Sequence, residues 1–318
     1  MLVLPQPQCR YSMQCDYSFA SRGYDFHVTQ ARGNDLQATR PTVVCIIGTP
    51  RSGTSLTARI LNIAGVYLGP DDDMVPAGRW NPTGFWENRR VAALNRRLLK
   101  SLERNSAAPP RLPPGWAGSD GLAGEREEAR ALLSETFDGH RLWGWKEAGG
   151  TLVLPFWQQL LPDMRYVICL RNPVDVAASA AGIEGLTESQ ALAAWPGHLA
   201  AALAYTTGRL RIFVNYDDYL HARRQTVERL WRFIGNESGP TEAEVHRLEA
   251  PIDENLLHHR TPLPEALRDD RLPLETNSMY LIAELLRRTV PEPWESPSRM
   301  TTALQDAVDI HARRLLDG

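Results

Sequence analysis

Six residues within eight positions have the chemistry to hold an anionic phosphate: Gly48, Arg51, Ser52, Gly53, Thr54 and Ser55. An apolar, mostly β-branched run, Val43–Ile47, precedes them, and a helix-like pattern (Leu56, Ile60, Leu61, Ile63) follows. A glycine-bearing loop between a strand and a helix aims backbone N–H groups and a helix N-terminus at a bound phosphate. The spacing nearly matches the phosphate loop G-x-x-x-x-G-K-[ST], with Gly48 and Gly53 as its glycines. Thr54 stands where that loop carries lysine, and the positive charge sits inside the loop as Arg51. A nucleoside triphosphatase needs the lysine on the terminal phosphates. The loop therefore suits a phosphate group, but not a triphosphate held in the usual way.

A second stretch repeats the arrangement. Arg165–Leu170 is apolar enough for a buried strand, Arg171-Asn172-Pro173 ends it, and Pro173 suits the first turn of a helix. Ser179 follows Arg171 by eight residues, so an arginine at the sheet edge and a serine just over two helical turns on are both available to phosphate. Lys146 ends the short strand Leu142–Lys146, and ligands of open parallel sheets bind beyond the carboxyl ends of strands; the alternative is a surface lysine. Glu87 ends an aromatic loop, Arg79–Asn88, directly before a helix over about 89–102. It is either an acid that favours the helix N-terminus or a general base beside a pocket walled by Trp80, Phe85 and Trp86.

The elements that must position these groups alternate strand and helix, which predicts an α/β fold: a three-layer sandwich with a central parallel sheet and a P-loop-like phosphate-binding loop. Strands are expected at Val43–Ile47, Leu142–Lys146, Arg165–Leu170 and Arg211–Tyr216. Residues 1–41 lack periodicity and are expected to be a flexible leader, with 42–318 a single domain. The Pro-, Gly- and Ser-rich stretch 105–121 is expected to be a mobile loop near the site. Asp71–Asp73 reads as a solvated turn, and the His258-His259-Arg260 segment lacks a third partner for a metal.

The 318 residues carry 35 basic and 38 acidic side chains, a formal net charge of −3, which argues against nucleic acid held by bulk charge. No run of about 18 apolar residues suggests a transmembrane segment. Cys45 and Cys169 lie inside apolar strands, Cys9 and Cys15 in the leader, and no zinc-type spacing occurs, so a reducing cytoplasm is expected.

Several motifs together resemble the sulfotransferases that use 3′-phosphoadenosine 5′-phosphosulfate (PAPS), over roughly residues 42 to 235. Gly48–Ser55 resembles their 5′-phosphosulfate loop, and Arg171–Ser179 their 3′-phosphate element, including the interval of eight. Val214–Leu220 resembles the strand whose tyrosine, here Tyr216, lies near the adenine. Trp145-Lys146-Glu147 is similar to the lysine–acid segment of the carbohydrate and protein-tyrosine branches, and Asn81–Glu87 to the acceptor-side segment of many bacterial members. Arg51 stands where the cytosolic aryl branch usually carries lysine; arginine is common there in the bacterial and tyrosyl-protein branches. Where related chains often read Lys-Asp-Pro, this one has Lys146-Glu147-Ala148, a departure in the turn that places Lys146.

The resemblance implies in-line transfer of a sulfuryl group from PAPS to an acceptor hydroxyl, with no metal required. It implies Arg51 and the loop around Ser52 and Gly53 on the 5′-phosphosulfate, Thr54 and Ser55 hydrogen-bonding the 5′-phosphate, Arg171 and Ser179 on the 3′-phosphate, and Tyr216 at the adenine. Lys146 would be a second cation or proton donor. Glu87 is the expected base, with His198, Asp217 and His259 next in line. The acceptor is expected to be a small molecule or a glycan: a natural product, a sugar or a lipid hydroxyl. A P-loop kinase for small molecules, or a non-catalytic nucleotide-binding protein of the same fold, are the competing readings.

Overall fold

Four apolar runs become four strands because each is buried on both faces, where a continuous hydrophobic sequence is required. They are β1 (Thr42–Gly48), β2 (Leu142–Lys146), β3 (Arg165–Leu170) and β4 (Arg211–Asn215). The computed structural model describes residues 40–78, 81–102, 112–113, 115–181, 187–253, 259, 261–289, 292 and 299–317. Outside these lie the expected leader up to Thr39 with Cys9 and Cys15, Trp80, residues 105–111 and 114 of the expected mobile loop, His258 and Arg260.

All the strand pairs are parallel, in the order β2-β1-β3-β4. The chain leaves β1 for β2 on one side and returns to β3 on the other, so the order reverses between β1 and β3. A crevice at such a reversal, beyond the carboxyl ends, is where open parallel sheets bind ligands.

Alternation along the strands sorts the core into two layers. Val44, Ile46, Val167, Cys169, Ile212 and Val214 pack with α1 (Thr54–Ile63), α8 (Arg223–Phe233) and α9 (Glu242–Glu249). Cys45, Ile47, Ile168 and Phe213 face the other way, toward α2 (Arg89–Ser101), α3 (Ala123–Phe137), α4 (Leu154–Leu160) and α6 (Glu188–Tyr205). Two helices near the end of the chain, α11 (Leu274–Thr289) and α12 (Arg299–Asp317), join this second layer through Met279, Ala283, Val308 and Ala312. The short helices α5 (Pro173–Ala180), α7 (Asp218–His221) and α10 (Leu263–Ala266) complete the set. The expected α/β sandwich with a central parallel sheet is therefore the architecture observed.

A buried ion pair ties α12 to the sheet. Arg211, the first residue of β4, donates from Nη2 to both Asp309 carboxylate oxygens at 2.9 and 3.0 Å, and from Nη1 to the Leu203 carbonyl and the Thr206 hydroxyl. Gly115–Leu122, which overlaps the end of the expected mobile loop, forms two 3₁₀ turns with Ala117 buried, and Arg126 donates to the carbonyls of Ala117 and Ser119. Asp71–Asp73 is a single 3₁₀ turn at the surface, as the solvated-turn reading expects.

Candidate active site

Because all four strands run the same way, their carboxyl ends deliver the chemistry in one row: Lys146 at β2, the Thr49–Gly53 loop after β1, Arg171 after β3 and Tyr216 after β4. Adjacent strands lie about 4.8 Å apart, so the row spans roughly 14 Å.

The loop after β1 is shaped by two left-handed residues, Arg51 at φ 71° and Gly53 at φ 87°. Gly53 caps α1 with no side-chain acceptor, and the first turn of α1 carries no acidic residue. The opening N–H groups of that helix thus keep the positive end of its dipole for an external anion. Ser52 turns inward: its hydroxyl donates to the Thr49 carbonyl at 2.5 Å and it is buried. Its own N–H donates to the same carbonyl at 3.2 Å, so side chain and backbone of Ser52 together hold the loop closed on itself. Thr54 is buried and Ser55 half-buried.

Arg51 Nε donates to Ser179 Oγ of α5 at 3.0 Å. Arg171 donates from Nη1 to the Arg51 carbonyl at 3.1 Å and from Nη2 to the His259 carbonyl at 2.9 Å, while its Nε is buried with no hydrogen-bond partner. An orphaned guanidinium N–H beside a dipole-positive loop is what an anion site requires. The Arg171 guanidinium also lies over the Tyr216 ring, 4.5 Å from its centre. That ring packs so tightly on the loop that a Cβ at Gly53 would come 2.5 Å from Tyr216 Cδ2. Burial lowers the pKa of both guanidiniums, and for Arg51 the neighbouring charge of Arg171 lowers it further. Two cations held close, Arg171 buried and Arg51 partly buried, favour an anion between them.

At the other end of the row, Lys146 Nζ forms an ion pair with Glu87 Oε1, the lysine nearly fully buried. Glu87 does not cap α2. Asn88 does, its side-chain oxygen accepting from the N–H groups of Arg90 and Val91 at 3.0 and 3.2 Å. The carboxylate of Glu87 is thereby released from the helix end and turned onto Lys146, which removes the capping alternative. Its backbone is held by Val75, whose N–H donates to the Glu87 carbonyl at 2.8 Å. Trp86, just before it, takes φ 57°. Among the described residues, Arg51 and Trp86 are the two non-glycines with positive φ. Such backbone costs on the order of 1–3 kcal/mol and tends to collect at functional sites.

The remaining sequence candidates for a base lie elsewhere. His198 is buried in α6 with Nδ1 against the Ala194 carbonyl at 3.1 Å, and burial lowers its pKa. Asp217 starts α7 beyond β4, on the Tyr216 side of the row. His259 has an exposed side chain and contributes its backbone carbonyl to Arg171. Among the described residues no group of three His, Cys, Asp or Glu is arranged to hold a metal ion. Cys45 and Cys169 are free and buried.

Sequence reasoning passed over three supports. Thr151 bridges the ends of β1 and β2, accepting from the Gly48 N–H at 3.3 Å and donating to the Ala148 carbonyl at 2.8 Å. Asn95 hydrogen-bonds Glu147. It occupies the apolar stripe of α2 between Val91 and Leu98–Leu99, and that polar residue on a buried face was a readable signal. Thr261 straps a later segment onto the second phosphate element, donating from N and Oγ1 to Asp175 Oδ1 at 3.0 and 2.8 Å, while Asn172 donates to the Thr261 carbonyl at 2.8 Å. Nothing local in the sequence announces that strap.

The parallel sheet with its P-loop-like turn after β1 defines an α/β protein of P-loop-like fold. The description "Sulfotransferase family" matches residues 41–239, and the chain belongs to that family. No curated protein matches the chain. Among solved structures, the sulfotransferase domain of the Synechococcus PCC 7002 olefin synthase is 18% identical, with 87% of this chain and 98% of that one covered at a TM-score of 0.41. The Mycobacterium tuberculosis H37Rv sulfotransferase STF1 is 16% identical, with 76% of each chain covered and a TM-score of 0.42. Retinol dehydratase in complex with androsterone and the inactive cofactor PAP is 15% identical, covering 87% of this chain and 79% of that one at 0.36. Among the described residues no helix is long and apolar enough to cross a membrane.

Proposed function

We propose that the chain transfers a sulfuryl group from PAPS to a hydroxyl of a small-molecule, glycan or lipid acceptor, in a cytoplasmic setting, and releases 3′,5′-adenosine bisphosphate. The observation that carries this reading is the contact between two separate phosphate elements: Arg51 on Ser179, and Arg171 on the Arg51 carbonyl. An ordinary nucleotide phosphate needs one such element. A nucleotide with phosphate at both its 5′ and 3′ positions uses two. Arg171, with its orphaned Nε, would take the 3′-phosphate together with Ser179, and Tyr216 beneath it would meet the adenine. Arg51, Thr54, Ser55 and the loop at Ser52 and Gly53 would take the 5′-phosphosulfate.

In this reading Glu87 accepts the proton of the attacking hydroxyl as the acceptor oxygen bonds to sulfur. Arg51 meets the negative charge that collects on the 5′-phosphate oxygen as the old sulfur–oxygen bond breaks; its fixed planar charge suits electrostatic stabilisation rather than proton donation. Lys146 holds Glu87 in place and is the second cation beside the transferred group. The residues 1–41, as a leader, and 42–318, as one sulfotransferase domain with a mobile loop near 105–121, form the proposed organisation.

Titration calorimetry with 3′,5′-adenosine bisphosphate tests the donor site. Binding by the parent that weakens by at least about tenfold in Arg171→Ala, the scale of a lost charged hydrogen bond, supports the reading. Equal binding by both proteins, or tighter binding of ATP, overturns it. Labelled PAPS offered with a panel of phenols, sterols, glycans and lipid alcohols then identifies the acceptor by mass spectrometry.

A further inference from the structure

The Lys146-Glu147-Ala148-Gly149-Gly150-Thr151 turn lies directly after β2, and its acid is enclosed by a specific set of partners. Glu147 Oε1 accepts from the Gly149 N–H at 3.0 Å, and Oε2 accepts from Asn95 Nδ2 of α2 at 2.8 Å. The Asn95 oxygen is itself filled by Trp157 Nε1 of α4 at 2.7 Å, which orients the amide so that its NH₂ points at the carboxylate. Gly150 makes room for the pair: a Cβ there would lie 2.6 Å from both Asn95 Nδ2 and Glu147 Oε2. Asn95 is two helical turns along α2 from Glu87, and Glu147 is next in chain to Lys146.

We propose that Glu147 is a positioning residue for the Lys146–Glu87 pair: its bond to Asn95 is a second fastener between β2 and the helix that follows Glu87, so that ammonium and carboxylate meet at a set distance and angle. The inference rests on the function proposed above for that pair. The charged and titratable groups facing Glu147 are Glu87, Lys146 and Cys45, from the loop before α2, from β2 and from β1.

A reciprocal exchange tests the proposal. In Glu147→Gln, an amide NH₂ faces the NH₂ of Asn95. In Asn95→Asp, one carboxylate faces another. With both substitutions the new carboxylate at position 95 accepts from Trp157 and from the amide at position 147, whose oxygen still serves the Gly149 N–H. The parent, both single variants and the double variant are compared for sulfuryl transfer from labelled PAPS, for donor KM, for acetylation of Lys146 by acetic anhydride read in peptide mass spectra, and for thermal melting. Each single variant is expected to lose about 10- to 100-fold in kcat, the range for a slightly misplaced catalytic group, with donor KM little changed. Lys146 should be acetylated several-fold faster in each, and the double variant should return both readouts toward the parent.

Parental kcat in the singles, or a double variant no better than the worse single, overturns the proposal. If a single variant fails to fold, recovery of melting, kcat and Lys146 protection in the double variant decides. If the parent itself transfers no sulfuryl group, the proposed function falls, and the acetylation pattern alone decides the fastener: faster labelling in the singles with recovery in the double upholds it, and unchanged labelling sinks it.

Discussion

Arg51 Nε and Ser179 Oγ meet at 3.0 Å although 128 positions separate them in the chain. The contact joins the loop after β1 to the helix after β3, the two strands between which the sheet order reverses. Arg171 reinforces it from below by holding the Arg51 carbonyl, and with it the left-handed backbone at that residue. A phosphate oxygen placed among these groups would offset the mutual repulsion of the two guanidiniums, Arg171 buried and Arg51 partly so.

Substitution of the proposed base separates chemistry from binding. Glu87→Gln keeps an oxygen for Lys146 Nζ but cannot take a proton, and is expected to lower kcat about 10²- to 10⁴-fold. Affinity for 3′,5′-adenosine bisphosphate should stay near the parent's, because Glu87 lies at the far end of the row from Arg171. Parental turnover would move the base to Asp217 or His259.

Gly53 is constrained twice, by φ 87° and by the Tyr216 ring 2.5 Å from where a Cβ would stand. Gly53→Ala should therefore destabilise by about 1–3 kcal/mol, and displace the ring on which Arg171 rests. The expected outcome is a lowered Tm in differential scanning calorimetry together with weakened adenosine bisphosphate binding. An unchanged Tm would show that Tyr216 swings away freely.

The pair of Arg211 and Asp309 is remote from the row, with both side chains almost wholly buried. Asp309→Ala leaves a buried guanidinium short of its carboxylate and should cost about 3–5 kcal/mol, whereas replacing both residues with apolar ones of similar volume should cost much less. Chemical denaturation of the single and double variants measures the difference. Donor binding below the melting range should be unaffected in either.

Burial, then the nearby charge of Glu87, raises the Glu147 carboxyl from an ordinary 4.5 to about 7. A folded-state pKa above the unfolded one means the folded chain binds the extra proton between these values. Its stabilising contribution is complete below about pH 4.5 and is lost as pH rises through about 7, by at most about 3 kcal/mol for a shift of this size. Denaturation midpoints measured from pH 5 to 8 should fall more steeply for the parent than for Glu147→Gln. Parallel slopes would show that Glu147 is ionised throughout.

Much of this was legible in the residues, for physical reasons. The strands β2 and β3 could be bounded from their apolar runs because both faces of each are buried. The loop Gly48–Ser55 and the Arg171–Ser179 element declared themselves because phosphate binding uses local backbone geometry. Glu87 stayed open between two readings because a carboxylate near a helix start so often interacts with the N–H groups. Asn88, one position on, took that task instead. Helix α9 was missed although its reciprocal cap, Thr241 with Glu244, was present in the sequence. The pairing of Asn95 with Glu147, and likewise of Thr261 with Asp175, stayed hidden because the partners are 52 and 86 positions apart. No periodicity encodes pairings of that kind.

The bond between Arg211 and Asp309 has a consequence for how the chain comes into being. Synthesis proceeds from the N-terminus, and domains begin to fold as they emerge. The sheet is complete in sequence by Asn215, yet the arginine that opens β4 must wait 98 residues for its carboxylate. Until α12 has left the ribosome, a nascent chain holds an arginine at the foot of β4 that cannot be buried without penalty. The strand that closes the family-matched stretch thus depends on a carboxylate in α12, which lies beyond that stretch.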